Sequence, residues 1–308
     1  MSTEQVKAFM EEVKTNSTLQ EKLGALPKDN IDDAILRAGR IDIHINVNSL
    51  DKVARRYFLE EIILKDSKAK VDIDKLIVYT TDMNGSQLQK LKRESFLYAV
   101  RHGLKDITEE ILIEQINTIK YGEKITSLSI QEMLEETAFH EAGHAVISKV
   151  LMPHVKVEQI TITPRDKKLG FVSFNWEDNC PNLTREDFKN LICVSLAGRL
   201  SQVEKYGDIS GFDTGASSDL GKAMSCAYRA IAYYGMDEVV GHINISEIKD
   251  SSFFEEEIQD AIKKWLKEAE IKTEKLIKVN WKLIENLSNK LIEDEVVDEH
   301  GLNEILKR

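Results

Sequence analysis

Cysteine is nearly absent. Cys180, Cys193 and Cys226 are the only three in 308 residues, and no two are spaced C-x-x-C. So sparse and odd a set supplies no disulfide framework and fits a reducing compartment, with the thiols as buried packing groups. Proline numbers only 4 and glycine 15, so few positions interrupt helix, and helix should dominate. Positive charge is in deficit: 42 Lys and Arg against 53 Asp and Glu leave a net charge of −11. Such a chain has no bulk attraction for nucleic acid and no basic face for anionic lipid. No run approaches the ~20 apolar residues of a membrane span, and Met1 to Lys14 is charged and amphipathic, without the apolar core of a secretory signal. The expectation is a soluble cytoplasmic protein with no transmembrane segment and no nucleic-acid partner. What is present is 42% hydrophobic and 31% charged residues. That is enough apolar material for a core, over a length that suggests about two domains.

Apolar spacing divides the chain into elements. Val6, Phe9, Met10, Val13, Leu19 and Leu23 give an amphipathic helical segment that Pro27 closes. Ile41, Ile43, Ile45 and Val47 alternate with polar residues, the period of a half-buried strand. Helices are expected over Ser49–Leu64 (capped by Ser49 or Asp51), around Leu88–Val100 and over Ile107–Ile119, and a short helix or turn over Asp72–Tyr79. Ser129–Leu151 is the strongest helix, ended by Pro153. Val155–Thr163 and Phe171–Trp176 read as a hairpin around the Pro164–Gly170 turn. Arg185–Lys205 and Leu220–Tyr234 flank a loop rich in Gly, Ser, Asp and Thr, and Phe254–Leu291 reads as one long helix. The fold class is mainly α with a small β-hairpin or sheet, α+β.

The chemistry lies in His140-Glu141-Ala142-Gly143-His144, an H-E-x-x-H inside the strongest helix. Residues four apart on a helix differ by roughly 40° in azimuth, so both imidazoles project to one side and can grip one ion. Zinc suits imidazole nitrogen. Glu141, roughly 100° around the helix from His140, is displaced from the ligand direction but within reach of a water beside the metal, where it would act as general base. Two histidines on a helix also occur as packing or surface residues. Against that, Gly143 mid-helix costs about 1 kcal/mol relative to Ala, and its bare backbone would let another backbone or a substrate come close. A third ligand is required. Position 147 is Ile and position 150 is Val, so no third histidine follows at the usual short spacing. His154 lies past Pro153, and a distal carboxylate is the better candidate.

His140 to Val146, Thr161-Ile162-Thr163-Pro164-Arg165, Leu196-Ala197-Gly198-Arg199, Thr214 to Leu220 and Tyr234-Gly235-Met236 resemble, in order and spacing, the peptidase domain of FtsH-type AAA+ zinc metalloproteases. The resemblance covers Ser129 to the C-terminus. It implies a helical zincin-type peptidase domain, Zn2+ as cofactor, and His140, His144 and Asp219 as its ligands, Asp219 matching the aspartate of the family's T-G-A-x-x-D segment. Position 219 equally suits a helix cap or a first-turn acid. One departure stands out. The family follows its G-R with two small or apolar residues and paired glutamates, whereas Gly198-Arg199 is followed by Leu200-Ser201-Gln202-Val203. Support for the ligands is in question there.

Upstream, Ile31 to Asp42 resembles the end of an AAA+ core, with Arg37 and Arg40 at arginine-finger positions, and Asp82-Met83-Asn84-Gly85-Ser86-Gln87-Leu88 resembles the start of a lid helix. No G-x-x-x-x-G-K-[ST] phosphate loop is found; the nearest string, Gly215 to Lys222, has one residue too many and Ala223 where Ser or Thr belongs. Residues 1–25 weakly resemble leader segments of some ribosomally made natural products, but the preferred reading is an ordinary amphipathic helix. The expected organisation is 1–25 as that segment, 26–125 as an AAA+ remnant with its helical lid, and 126–308 as the zinc peptidase. The expected activity is zinc-dependent endopeptidase cleavage of unfolded or flexible polypeptides without an ATPase motor. The hairpin edge near Ile160–Thr163 could pair with extended substrate. The alternatives are an assembly or regulatory subunit of a hexameric AAA+ protease and a non-cleaving pseudo-protease. Partners implied are a polypeptide substrate and either a homo-oligomer, hexameric by resemblance, or co-assembly with a full-length AAA+ protease.

Overall fold

Side-chain oxygens start many of the helices. The computed structural model describes residues 50–65, 70–125, 133–166, 168–175, 182–211, 214–248 and 254–307, all within one compact unit, Ser49–Arg308. The N-terminal helix, the strand expected at Ile41–Val47, Arg37, Arg40 and Cys180 lie outside those residues. Asp51 accepts from the Ala54 N–H ahead of α1 (Lys52–Tyr57), which runs on as a π-helix through Phe58–Ile63. Asp72 does the same for Lys75 ahead of α2 (Ile73–Tyr79). Asn84 and Gln87 form a reciprocal capping box on α3 (Gly85–Arg101). Thr108 caps α4 (Glu109–Tyr121), and Gly122 at φ 96° ends it, a backbone region glycine enters at little cost. The apolar faces of these elements close on Leu59, Leu76, Leu88, Leu91, Leu112 and Ile116, a first core.

The second core belongs to the C-terminal part. α5 (Leu134–Leu151) is buried along most of its length and packs on α6 (Arg185–Ser210), which Thr184 and Asp187 cap reciprocally. Around them lie α7 (Ser217–Tyr228), continued by a π-helix over Arg229–Tyr233, α8 (Glu255–Val279), α9 (Trp281–Asp294) and α10 (Glu299–Leu306). The expected single helix after Phe254 is two. The Asn280 side chain donates to the Leu276 carbonyl at 2.8 Å, and the chain turns into α9 there.

β1 (Lys156–Thr161) and β2 (Phe171–Asn175) form the expected antiparallel hairpin. A third strand, β3 (Val296–Asp298), adds on the far side and gives the order β2-β1-β3. This corrects the expectation for the open edge. Ile160 pairs with both Val172 and Val297, so β1 is central, and among the described residues β2 pairs with β1 alone.

Polar groups join the two cores. Asn117 and Gln159, both buried, exchange amide hydrogen bonds of 2.7 and 3.3 Å. The buried Arg165 guanidinium donates to Glu114 at 2.8 Å and to the Gly122 carbonyl at 3.1 Å. These contacts hold the turn between β1 and β2 against α4.

The loop after Tyr234-Gly235-Met236 is pinned by Asp237. Its carboxylate accepts from the Val239 and Val240 N–H groups and, at 2.8 Å, from the Trp265 indole of α8. Burial pushes this carboxyl up, but the three donors outweigh it and hold it below the usual aspartate range. A folded-state pKa held below the unfolded value adds stability above that unfolded value and loses it as pH falls through the folded one. Asp237→Asn is therefore expected to cost about 1–3 kcal/mol at pH 7. The gap should close in strong acid, as read by urea unfolding at pH 7 and below pH ~3.

Candidate metal centre

His140, Glu141 and His144 lie at the middle of α5, where small residues let α6 come close. A Cβ on Gly143 would meet Ser201 Oγ at 2.2 Å and the Ala197 carbonyl at 2.7 Å. The close approach read into Gly143 is thus made by α6. Opposite, a Cβ on Gly198 would lie 2.4 Å from His144 Nε2 and 2.6 Å from His140 Nε2. The hollow over Gly198 is where the two imidazoles sit.

The Nε2 atoms of His140 and His144 are 3.0 Å apart, and Asp219 Oδ2 lies 3.2 Å from the first and 3.3 Å from the second. These three residues are the group that could hold a metal ion among the described residues. Asp219 comes from the first turn of α7, yet it does not cap that helix. Its carboxylate meets the two imidazoles through Oδ2 and the Lys222 ammonium, 2.7 Å away, through Oδ1. That disposition favours the distal-carboxylate reading of position 219 over the cap. His154 is exposed and stands outside the cluster.

Both imidazoles are fixed from behind. His144 Nδ1 donates to the Val194 carbonyl at 2.7 Å, and His140 Nδ1 to Gln202 Oε1 at 2.8 Å. With Nδ1 donating backward, each Nε2 faces the centre of the triangle, where it carries a proton toward Asp219 or, once that proton is lost, a lone pair for a metal ion. Zinc with ligands at ~2.0–2.2 Å in tetrahedral geometry needs donor atoms roughly 3.3–3.6 Å apart. The observed edges fall just short of that, so donor chemistry and spacing both fit such an ion.

Electrostatics follow from burial and mutual contact. Burial opposes charge on His140, but the Asp219 hydrogen bond and the Glu141 charge raise it to about 9. Burial likewise works against the Asp219 carboxylate, and its hydrogen bonds with the two histidines hold it well below the usual carboxylate range. Glu141 is buried, and burial pushes its carboxyl up against the pull of both imidazoles. It is not part of the triangle. A Cβ on Gly170, just ahead of β2, would lie 3.0 Å from Glu141 Cγ. The β1–β2 turn therefore closes over this carboxylate.

Sequence reasoning missed Gln202, the Val194 carbonyl and Lys222. Val194, Gly198 and Gln202 are spaced four apart on α6 and so share one face, one turn after another. The signal available was the i−4 and i+4 position of these two residues relative to Gly198. Cys193 is buried and Cys226 half-buried, as packing thiols should be.

The chain is similar to known proteins. The chain is 30% identical over 295 residues to the ATP-dependent zinc metalloprotease FtsH of Synechococcus sp. (strain JA-2-3B'a(2-13)), covering 90% of this chain and 46% of the relative. It is 32% identical over 287 residues to ATP-dependent zinc metalloprotease FtsH 1 of Thermoanaerobacter sp. (strain X514), with 87% and 46% covered. The FtsH of Akkermansia muciniphila is 33% identical over 222 residues, with 71% and 27% covered. The chain thus spans about half the length, or less, of these curated relatives. Residues 1–35 match the Nif11 domain. Among the described residues, no helix is long and apolar enough to cross a membrane. Residues 128–305, more than half of the chain and all three corners of the His-His-Asp triangle, match peptidase family M41, and the chain belongs to that family.

Proposed function

We propose that this chain is a zinc-dependent endopeptidase acting on unfolded or flexible polypeptides. The observation that carries the reading is the triangle of two Nε2 atoms and one carboxylate oxygen, with the buried Glu141 carboxylate on the same helix turn. His140, His144 and Asp219 would hold the zinc. When bound, it supplies a Lewis acid that polarises the scissile carbonyl and acidifies water. Glu141 accepts the proton of the attacking water as the new C–O bond forms. It returns that proton to the leaving amine nitrogen as the C–N bond breaks. Burial that raises the carboxyl suits it to hold the proton between the two transfers.

The relatives are described as ATP-dependent, but this sequence has no G-x-x-x-x-G-K-[ST] loop. For these residues by themselves we propose cleavage of chains that need no unfolding. The two separate cores, one from residues before 120 and one from residues after 133, support a lid-like part ahead of a peptidase part. Exposed Met224, Tyr233, Tyr234 and Val239 give apolar surface for self-assembly or docking on a full-length AAA+ relative. The test is hydrolysis of casein and of a tightly folded protein without ATP. Casein alone should be cut. Loss of cleavage on chelation and recovery with zinc supports the reading. Activity that appears only with an added full-length relative would favour the subunit role instead.

A further inference from the structure

Gln202 is the one group behind the two imidazoles that can either accept or donate. The Val194 carbonyl behind His144 only accepts, so it fixes the proton on His144 Nδ1 and leaves Nε2 open. A glutamine amide offers oxygen in one orientation and N–H in the other. With oxygen toward His140, as observed at 2.8 Å, Nδ1 donates and Nε2 is the ring atom that faces Asp219. Gln202 is 5% exposed, and its place one turn beyond Gly198 on α6 fixes its distance from the ring. A carboxylate there would accept in both orientations and, being charged, would strengthen the imidazole as a donor to a cation.

We propose that Gln202 is the positioning residue for His140 and that, as a neutral acceptor, it sets the metal affinity of this chain below what a carboxylate at the same position would give. The inference rests on the zinc-site reading above. It concerns the strength of the site, separately from its existence.

The test is zinc affinity of the full chain by competition with a chromophoric chelator, for wild type, Gln202→Glu, Gln202→Leu and His140→Ala. Gln202→Leu keeps volume and removes the acceptor; its zinc Kd should rise about 10- to 100-fold. Gln202→Glu keeps shape and makes the acceptor charged, and its Kd should fall about tenfold. The cobalt-loaded proteins add a readout independent of catalysis, since visible bands that shift in Gln202→Glu report a changed His140 donor. An unchanged Kd in Gln202→Glu overturns the proposal even if Gln202→Leu fails to fold. So does an unchanged Kd in a folded Gln202→Leu. If His140→Ala binds zinc as wild type does, the site reading itself falls and the proposal with it. If His140→Ala loses zinc while both Gln202 variants match wild type, only the proposal falls.

Discussion

Glu141→Gln is expected to lower kcat on casein or a peptide by about 10²–10⁴-fold while zinc stays bound at the wild-type level. The separation of the two readouts follows from geometry. Glu141 is not a corner of the triangle, so its removal leaves the two Nε2 atoms and Asp219 Oδ2 untouched. Glutamine fills the same buried volume beneath the β1–β2 turn, yet cannot take a proton from water. KM should change little, because the change removes an interaction made in the transition state and not in binding. Single-turnover rates alongside metal analysis of the same preparation read both quantities. Activity within a few fold of wild type would exclude Glu141 as the proton acceptor.

The second large effect belongs to a residue with no side chain. Gly198→Ala should weaken zinc binding by about 100-fold and cost roughly 1–3 kcal/mol of stability. An alanine in a helix interior ordinarily stabilises by about 1 kcal/mol over glycine, so the sign of the change is diagnostic. Here the added methyl would fall 2.4 Å from His144 Nε2, 2.6 Å from His140 Nε2 and 2.7 Å from His140 Cδ2. Neither ring can swing aside without breaking its hydrogen bond to Val194 or Gln202, and both of those partners sit on the same helix as the new methyl. Urea unfolding and chelator competition measure the two effects. A variant that is more stable than wild type and binds zinc equally well would show that the hollow over Gly198 has no role.

What could be read from the sequence was what is local. The α5 histidines are four apart on a strongly periodic helix, so their shared direction follows from 3.6 residues per turn, and the caps at Asp51, Asp72, Asn84 and Thr108 follow from residue type and the first apolar position after each. Asp219 is another matter. It lies 75 residues from His144, and nothing in its neighbourhood separates a ligand from a first-turn acid; only the collinear motifs pointed to it. Its side chain turns to the imidazoles because α7 enters beside α5 and α6, a tertiary fact. Gln202 stands in the sequence only as a missing acid, and its place four residues after Gly198 is the one sign of the face it serves. β3 is three residues long and is held by pairing with a strand more than a hundred residues earlier, so no local alternation marks it. The break at Asn280 was hidden because the apolar stripe continues on both sides of it, through Ile277, Ile284 and Leu287.

The central claim is that two imidazoles from one helix and a carboxylate from another share one ion. Equilibrium dialysis of zinc against the full chain and its Asp219→Ala variant tests it most directly, with circular dichroism to confirm that helix content is retained. Wild type should take up about one equivalent of zinc, and Asp219→Ala should bind at least ~100-fold more weakly, having lost a first-coordination donor where even an outer partner is worth up to that much. Equal zinc occupancy in the two folded proteins would contradict it.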